Sequence, residues 1–279
     1  MEASLDEYLR AIVLGLVQAL TEFLPISSSG HLVLAPRLLG GEASSLTFDV
    51  GLHAGTLLAV FVYFWRDWAR MVVCLAEDVP RHGRRLGAWQ DHSRLALWIA
   101  LATLPTAVAG FALDATAAEW FRAPVSVAVA LLVFSGVIWV LDRRGAQHLD
   151  LSSVTPRRAL IVGAAQAVAL IPGTSRSGIT IAAARGLGFD RPSAARFSFL
   201  LSAPAVGGAA VLKLGGALAG AEAVAWGPLL VGAVTAALGG LMVIRGLLRF
   251  LQSRTLAAFV WYRVVLAVVV LVAVALDLI

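Results

Sequence analysis

The sequence predicts an all-α integral membrane protein: six transmembrane helices plus two re-entrant helix-loop-helix segments arranged as an inverted repeat. Three observations carry this reading: a shortage of polar residues, a series of apolar runs of spanning length, and a Ser/Gly-rich stretch that occurs twice. Of 279 residues, 59% are hydrophobic and 14% charged, too little polar side chain to coat a soluble globule of this length. A helix rises about 1.5 Å per residue, so about 20 apolar residues cross a hydrocarbon core of about 30 Å. The runs at 46–65, 94–113, 123–141, 197–214, 224–247 and 256–279 meet that requirement. Residues 1–279 therefore read as one polytopic membrane domain.

Taken in order, the chain opens with Glu2, Asp6 and Glu7 ahead of its first apolar run. A signal peptide would begin basic, so no removable leader is expected. The segment at 10–40 starts as an apolar helix, is interrupted by Pro25, a serine cluster and Gly30, and resumes as a second short helix. The segment at 158–188 has the same design around Pro172, Gly173 and its own serines. The connection at 66–94 carries Arg66, Arg70, Arg81, Arg84 and Arg85, and that at 142–158 carries Arg143, Arg144 and Arg157; both read as cytoplasmic. The connections around Asp114 and Glu119, and around Glu222, read as external. Six spans alternate consistently only if each interrupted segment enters the membrane and returns on its own side, the first from outside and the second from inside.

The two segments are also alike. An offset of about 148 positions lays Gly15 on Gly163 and Gln18-Ala19 on Gln166-Ala167. It likewise lays Ser27, Ser29 and Gly30 on Ser175, Ser177 and Gly178, and Arg37 and Leu39-Gly40 on Arg185 and Leu187-Gly188. The repeats run over about 10–65 and 158–214. Repeats of opposite orientation bring their broken helices together near the bilayer midplane, where a site is to be sought.

Composition also excludes. The formal charge of +5 comes mostly from arginines in short loops, which the bilayer explains without a nucleic-acid partner. Cys74, the one cysteine, forms no internal disulfide, and no His/Cys cluster has zinc-ligand spacing, so no structural metal is expected. Trp65, Trp68, Trp120, Trp226 and Trp261 lie near span ends, where amphipathic rings favour the interface. Gly207-Gly208 and Gly239-Gly240 read as close-packing positions; such faces serve internal packing and a homodimer equally well, which leaves the oligomeric state open.

The chemistry concentrates in the interrupted segments. Gln18 and Glu22 stand four apart and project from one helix face. A carboxylate near the bilayer centre costs roughly 2.5 to 3.5 kcal/mol, so Glu22 needs a partner or a function. Ser27, Ser28 and His31 follow at once, supplying hydroxyls and an imidazole. In the second segment the acid gives way to a base, in Pro172-Gly173-Thr174-Ser175-Arg176-Ser177-Gly178-Ile179-Thr180. A Gly- and Ser-rich turn opening a helix offers free N–H groups to an anion, and a guanidinium binds phosphate oxygens as a fork. Arg176 is the expected phosphate clamp; the plainer reading is an Arg176–Glu22 pair across the repeat interface, and the two are compatible. Gly173, Thr174, Ser175, Ser177 and Thr180 are candidate binding residues beside it. Asp49 and His53 stand four apart and are candidates for lining the same cavity, with simple packing as the plainer reading of His53.

These residues resemble the undecaprenyl-diphosphate phosphatase family, the bacitracin-resistance type of integral membrane phosphatase, over nearly the whole chain. The family's signatures are a Glu or Gln followed four residues later by Glu, and PGxSRSxxT; here they read Gln18-Ala-Leu-Thr-Glu22 and Pro172 through Thr180. Phe23 through His31 is similar to the family's FLPxSSTGH stretch, and Phe197 through Leu201 also looks like a family segment. The resemblance implies hydrolysis of undecaprenyl diphosphate to the monophosphate on the outer face of the bacterial inner membrane, recycling the carrier lipid for cell-wall synthesis. It also implies a divalent cation, Mg²⁺ or Ca²⁺, of unassigned ligands. Glu22, Ser28 and Arg176 match the family's catalytic positions and His31 its motif histidine; Ser27, Ser175, Ser177 and Thr180 match neighbouring polar positions. Gln18 stands where many members have Glu, and an amide binds but takes no proton. The nucleophile is left open between Ser28, His31 and water activated by Glu22 or His31. An inverted-repeat transporter or lipid flippase is the rival reading, because broken helices meeting at a repeat interface are also a transporter architecture.

Overall fold

A computed structural model describes residues 4–28, 30–31, 45–112, 123–144, 148–218 and 225–276. Among these residues the chain forms ten α-helices and two short 3₁₀ turns, with an isolated bridge between Leu149 and Phe189. In chain order the helices are α1 (Leu5–Phe23), α2 (Leu46–Tyr63), α3 (Trp65–His82), α4 (Asp91–Ala112) and α5 (Pro124–Arg144). They continue as α6 (Pro156–Val168), α7 (Arg176–Gly186), α8 (Arg191–Leu218), α9 (Trp226–Phe250) and α10 (Ala257–Ala275).

The polarity of the molecule is that of an integral membrane protein. Leu230, Val234, Leu238 and Met242 on α9, and Val265, Val268, Val269 and Val272 on α10, face outward, while Gln18, Glu22, Gln166, Arg185 and Arg263 are buried. In water such an arrangement would expose apolar surface and bury charge; in lipid both preferences reverse. Among the described residues α4, α5, α9 and α10 are each long and apolar enough to cross a bilayer, and α2 with α3 makes a fifth if that bent pair is one span. At 28 residues, α8 is the longest described helix.

The second interrupted segment folds as expected, α6 and α7 flanking a turn through Pro172-Gly173. The first begins earlier than Arg10. Ser4 caps α1, its hydroxyl accepting from the Glu7 N–H at 3.3 Å while Glu7 accepts the Ser4 N–H at 2.7 Å. Asp6 and Glu7 thus serve the helix start, where its dipole favours them. Ser29, Arg37, Leu39 and Gly40 of the repeat comparison, and Asp114, Glu119 and Glu222 of the external connections, lie outside the described residues.

One expectation needs correction. The connection read at 66–94 is mostly helix: α3 leaves α2 at a bend of 69° and buries Met71 and Asp78. Its dense charges look like a loop when only apolar runs are sought, yet they belong to an amphipathic helix. Asp78 then accepts from the Ser93 hydroxyl at 2.6 Å and the Gln90 N–H at 2.8 Å, fixing the start of α4.

The two interrupted segments pack in similar ways. Helix α1 lies along α9 as α6 lies along α4. The equivalent glycines make both contacts: a side chain at Gly15 would strike the Gly232 carbonyl, and one at Gly163 the Ala102 carbonyl. Gly239 and Gly240 are likewise spent inside the fold, against Ala19 and against Ala59 and Phe23. Phe23 meets the Phe199 ring edge-on at 5.3 Å, and Phe64 packs on the same ring. This aromatic group seats the end of α1 on α8 and so sets the position of Glu22.

Candidate active site

Helix α1 ends because Pro25 follows its last turn, and Leu24 is already extended. One turn earlier the helical spacing brings the Gln18 amide to Glu22, Nε2 donating to Oε2 at 3.2 Å. The chain reverses through Ser27, held at φ 79, a region a non-glycine residue occupies at a cost of about 1 to 3 kcal/mol. Its neighbour Ser28 then donates its hydroxyl to Glu22 Oε2 at 3.0 Å.

The second turn repeats this geometry with different chemistry. Gly173 takes φ 93 and Ser175 takes φ 73. Ser175 caps α7, its Oγ accepting the Gly178 N–H at 3.2 Å. Arg176, first residue of α7, reaches back across the repeat interface, Nη2 donating to Glu22 Oε1 at 2.6 Å. The Ser177 hydroxyl donates to the Leu24 carbonyl at 3.1 Å, tying the turns together. Thr180 bonds the Arg176 carbonyl at 2.7 Å and the Ser198 hydroxyl at 2.6 Å, while Arg176 Nη1 donates to the Ser198 carbonyl at 3.4 Å. The guanidinium is thereby anchored to α8 as well as to the acid.

A cavity of about 320 Å³ opens beside this pair. Glu22, Ser27, Ser28, His53, Ser175 and Arg176 line it together with Thr106 and Gln166, and Val50, Leu170, Ala205 and Val206 supply apolar surface. His53 Nδ1 donates to the Asp49 carbonyl at 2.8 Å, and its Nε2 stands 3.5 Å from Glu22 Oε2. Thus Glu22 faces an amide, a hydroxyl, an imidazole and a guanidinium, all from sequence-expected positions. Thr174 and Gly173 are not among the residues lining the cavity, and the Thr174 hydroxyl is buried without a partner.

His31 falls elsewhere. Its Nδ1 donates to the Ser27 carbonyl at 2.7 Å, and its Nε2 accepts from the Tyr262 hydroxyl at 2.6 Å, the rings stacked 5.6 Å apart. The imidazole that borders the cavity is His53, which the four-residue spacing from Asp49 pointed to. Sequence reasoning passed over Thr106, whose hydroxyl accepts the Gln166 amide at 3.1 Å, and the fully buried Arg263. A lone arginine inside the run at 256–279 was the available signal for the latter.

As metal ligands the described residues offer little: none of their His, Cys, Asp and Glu side chains gather in threes. The donors within the site are the Glu22 carboxylate and Gln18 Oε1, which is buried with no partner. Two oxygen donors are fewer than a protein cage supplies, so a cation held there would need ligands from outside the chain.

A family model described as Bacitracin resistance protein BacA matches residues 11–269. Among curated relatives, undecaprenyl-diphosphatase of Trichlorobacter lovleyi is 47% identical over 266 residues, 92% of this chain and 94% of its own. The protein of the same name from Geobacter sulfurreducens is 47% identical over 259 residues, with the same coverage of each chain. That of Pelotomaculum thermopropionicum is 41% identical over 95% of this chain and 96% of its own. Near-complete coverage by the family model, together with relatives of this identity, establishes that the chain belongs to the bacitracin resistance protein BacA family.

Proposed function

We propose that the chain hydrolyses undecaprenyl diphosphate to undecaprenyl phosphate and inorganic phosphate, recycling the carrier lipid for cell-wall synthesis and thereby conferring bacitracin resistance. The relatives' shared name supports the substrate. The observation that carries the chemistry is the meeting of Glu22, Ser28 and Arg176 at one cavity, with the hydroxyl 3.0 Å and the guanidinium 2.6 Å from the carboxylate. A volume of about 320 Å³ accommodates a headgroup and not a polyprenyl chain, so the tail stays in lipid.

The incoming phosphate draws Arg176 off Glu22, because a dianion competes well for a guanidinium fork. Freed of that partner, Glu22 takes the Ser28 proton as Oγ bonds the terminal phosphorus. The bridging P–O bond breaks, its electron pair leaves with the lipid phosphate, and Glu22 passes the proton to that leaving group. Water then attacks the phosphoserine with Glu22 as base, and Ser28 recovers its proton as phosphate departs. Direct attack of water activated by Glu22 is the competing route. A nucleophilic His31 gains no support here, since both ring nitrogens are engaged. In either route Arg176 offsets the charge of the transferring group, the main task in phosphoryl transfer.

Were Mg²⁺ or Ca²⁺ bound, Glu22 and Gln18 would be the residues to hold it. Such an ion offsets the charge on the phosphate oxygens. The arginine-rich connections and the family support a multi-pass protein of the bacterial inner membrane with its cavity reached from the outer side. A homodimer is a separate proposal, to be read from the mass of the solubilised particle.

The test is direct. Purified protein in detergent should release inorganic phosphate from a prenyl diphosphate, and a chelator should slow it. A transporter needs two compartments to show activity, so a folded preparation without phosphate release would refute the reading.

A further inference from the structure

Helix α10 is apolar along most of its length and presents Val265, Val268, Val269 and Val272 outward. Tyr262 and Arg263 interrupt it. Arg263 is completely buried, and among the described residues it bonds no carboxylate. Its Nε donates to Ser135 Oγ at 3.0 Å, and its Nη2 to the carbonyls of Leu131 at 3.3 Å and Gly173 at 3.0 Å. A charge kept inside the membrane to hold neutral carbonyls is costly to keep and asks for a function.

What it holds is the second serine turn. Gly173 belongs to that turn and lies hard against α5, where a side chain would strike the Val127 carbonyl. Two residues later Ser175 sits at φ 73, and Arg176 follows. Tyr262 does the corresponding work on the first turn. Its hydroxyl holds His31 Nε2, whose Nδ1 holds the carbonyl of Ser27, the residue at φ 79 that precedes Ser28. Left-handed serines relax unless their surroundings over-determine them. Consecutive residues of one helix point about 100° apart, which lets one helix reach two separate turns.

We infer that Tyr262 and Arg263 are positioning residues of the phosphate site: neighbours on α10, they pin the two strained serine turns that present Ser28 and Arg176. This rests on the phosphatase reading above. Small displacements of reacting groups cost up to about a hundredfold in rate, so the strut should be visible in kinetics.

The experiment compares wild type, Tyr262→Phe, Arg263→Lys, His31→Gln and the Tyr262→Phe/His31→Gln double variant in detergent, measuring phosphate release, melting temperature and amide hydrogen exchange. Tyr262→Phe should lower kcat about tenfold, with KM within twofold and an unchanged melting temperature. It should add nothing in the His31→Gln background, because it acts through that ring. Arg263→Lys keeps the charge but not the fork, and should raise KM as well as lower kcat. Wild-type kinetics in folded Tyr262→Phe, or losses that merely follow the folded fraction, would overturn the assignment, as would independent multiplication of the Tyr262 and His31 effects. If wild type itself releases no phosphate, the phosphatase reading falls instead. Exchange around Ser27 and Ser28 then decides the strut: faster exchange in Tyr262→Phe supports it, and unchanged protection removes it.

Discussion

Glu22 and Asp142 are both buried carboxylates paired with arginine, but they are used differently: Glu22 lines a cavity, whereas Asp142 joins helix ends. Asp142 Oδ1 accepts from Arg185 Nε at 3.0 Å and from Arg191 Nε at 2.8 Å, and its Oδ2 accepts the Leu256 N–H at 3.1 Å. Those bonds tie the end of α5 to α7, α8 and the start of α10, and Arg185 is wholly enclosed. Glu22 and Arg176 instead form one wall of a cavity and share it with a serine hydroxyl. An ion pair in a membrane protein is therefore no evidence of catalysis by itself. Adjacent volume for a ligand, and a serine hydroxyl within reach of the acid, distinguish the two clusters.

The sharpest way to break this contrast is to exchange the outcomes. Arg176→Ala and Glu22→Gln should each lower phosphate release per folded molecule by about a thousandfold or more, far beyond the stability lost with the ion pair. A large stability loss with proportionate activity loss would make Glu22–Arg176 a structural pair like the other. Ser28→Ala should cost about a hundred- to a thousandfold and abolish any phosphoenzyme trapped by acid quench. Retention of most activity would shift the chemistry to water activated by Glu22. Asp142→Ala should behave in the opposite way, destabilising the fold by about 3 to 5 kcal/mol as two arginines lose their anion, with near-normal kcat per folded molecule. A well-folded but inactive Asp142→Ala protein would dissolve the distinction. The smallest effect is expected at His53→Gln, under about tenfold, because its Nε2 stands at the limit of hydrogen-bond reach from Glu22.

Much of this was legible in the residues. The four-residue spacing of Gln18 and Glu22, the serines after Pro25 and the Pro172-to-Thr180 stretch all lead to one cluster, because each rests on local geometry that tertiary packing then joins. His31 shows where that logic stops. Proximity in sequence to Glu22 suggested proximity in space, but the chain reverses at Ser27 and turns the ring toward Tyr262. His53, reached only after a second helix begins, stands beside the acid instead. Helix α3 was missed for a different reason: scanning for apolar runs treats a charged amphipathic helix as a connection. Arg263 needed no structure to be noticed, only the rule that a charge within a spanning run requires an explanation.

Ser27 and Ser175 occupy equivalent positions in the two halves and share the same disfavoured backbone twist. The side chains that follow them have diverged, Ser28 in one half and Arg176 in the other. One backbone turn, used twice, thus delivers a hydroxyl and a guanidinium to the same cavity.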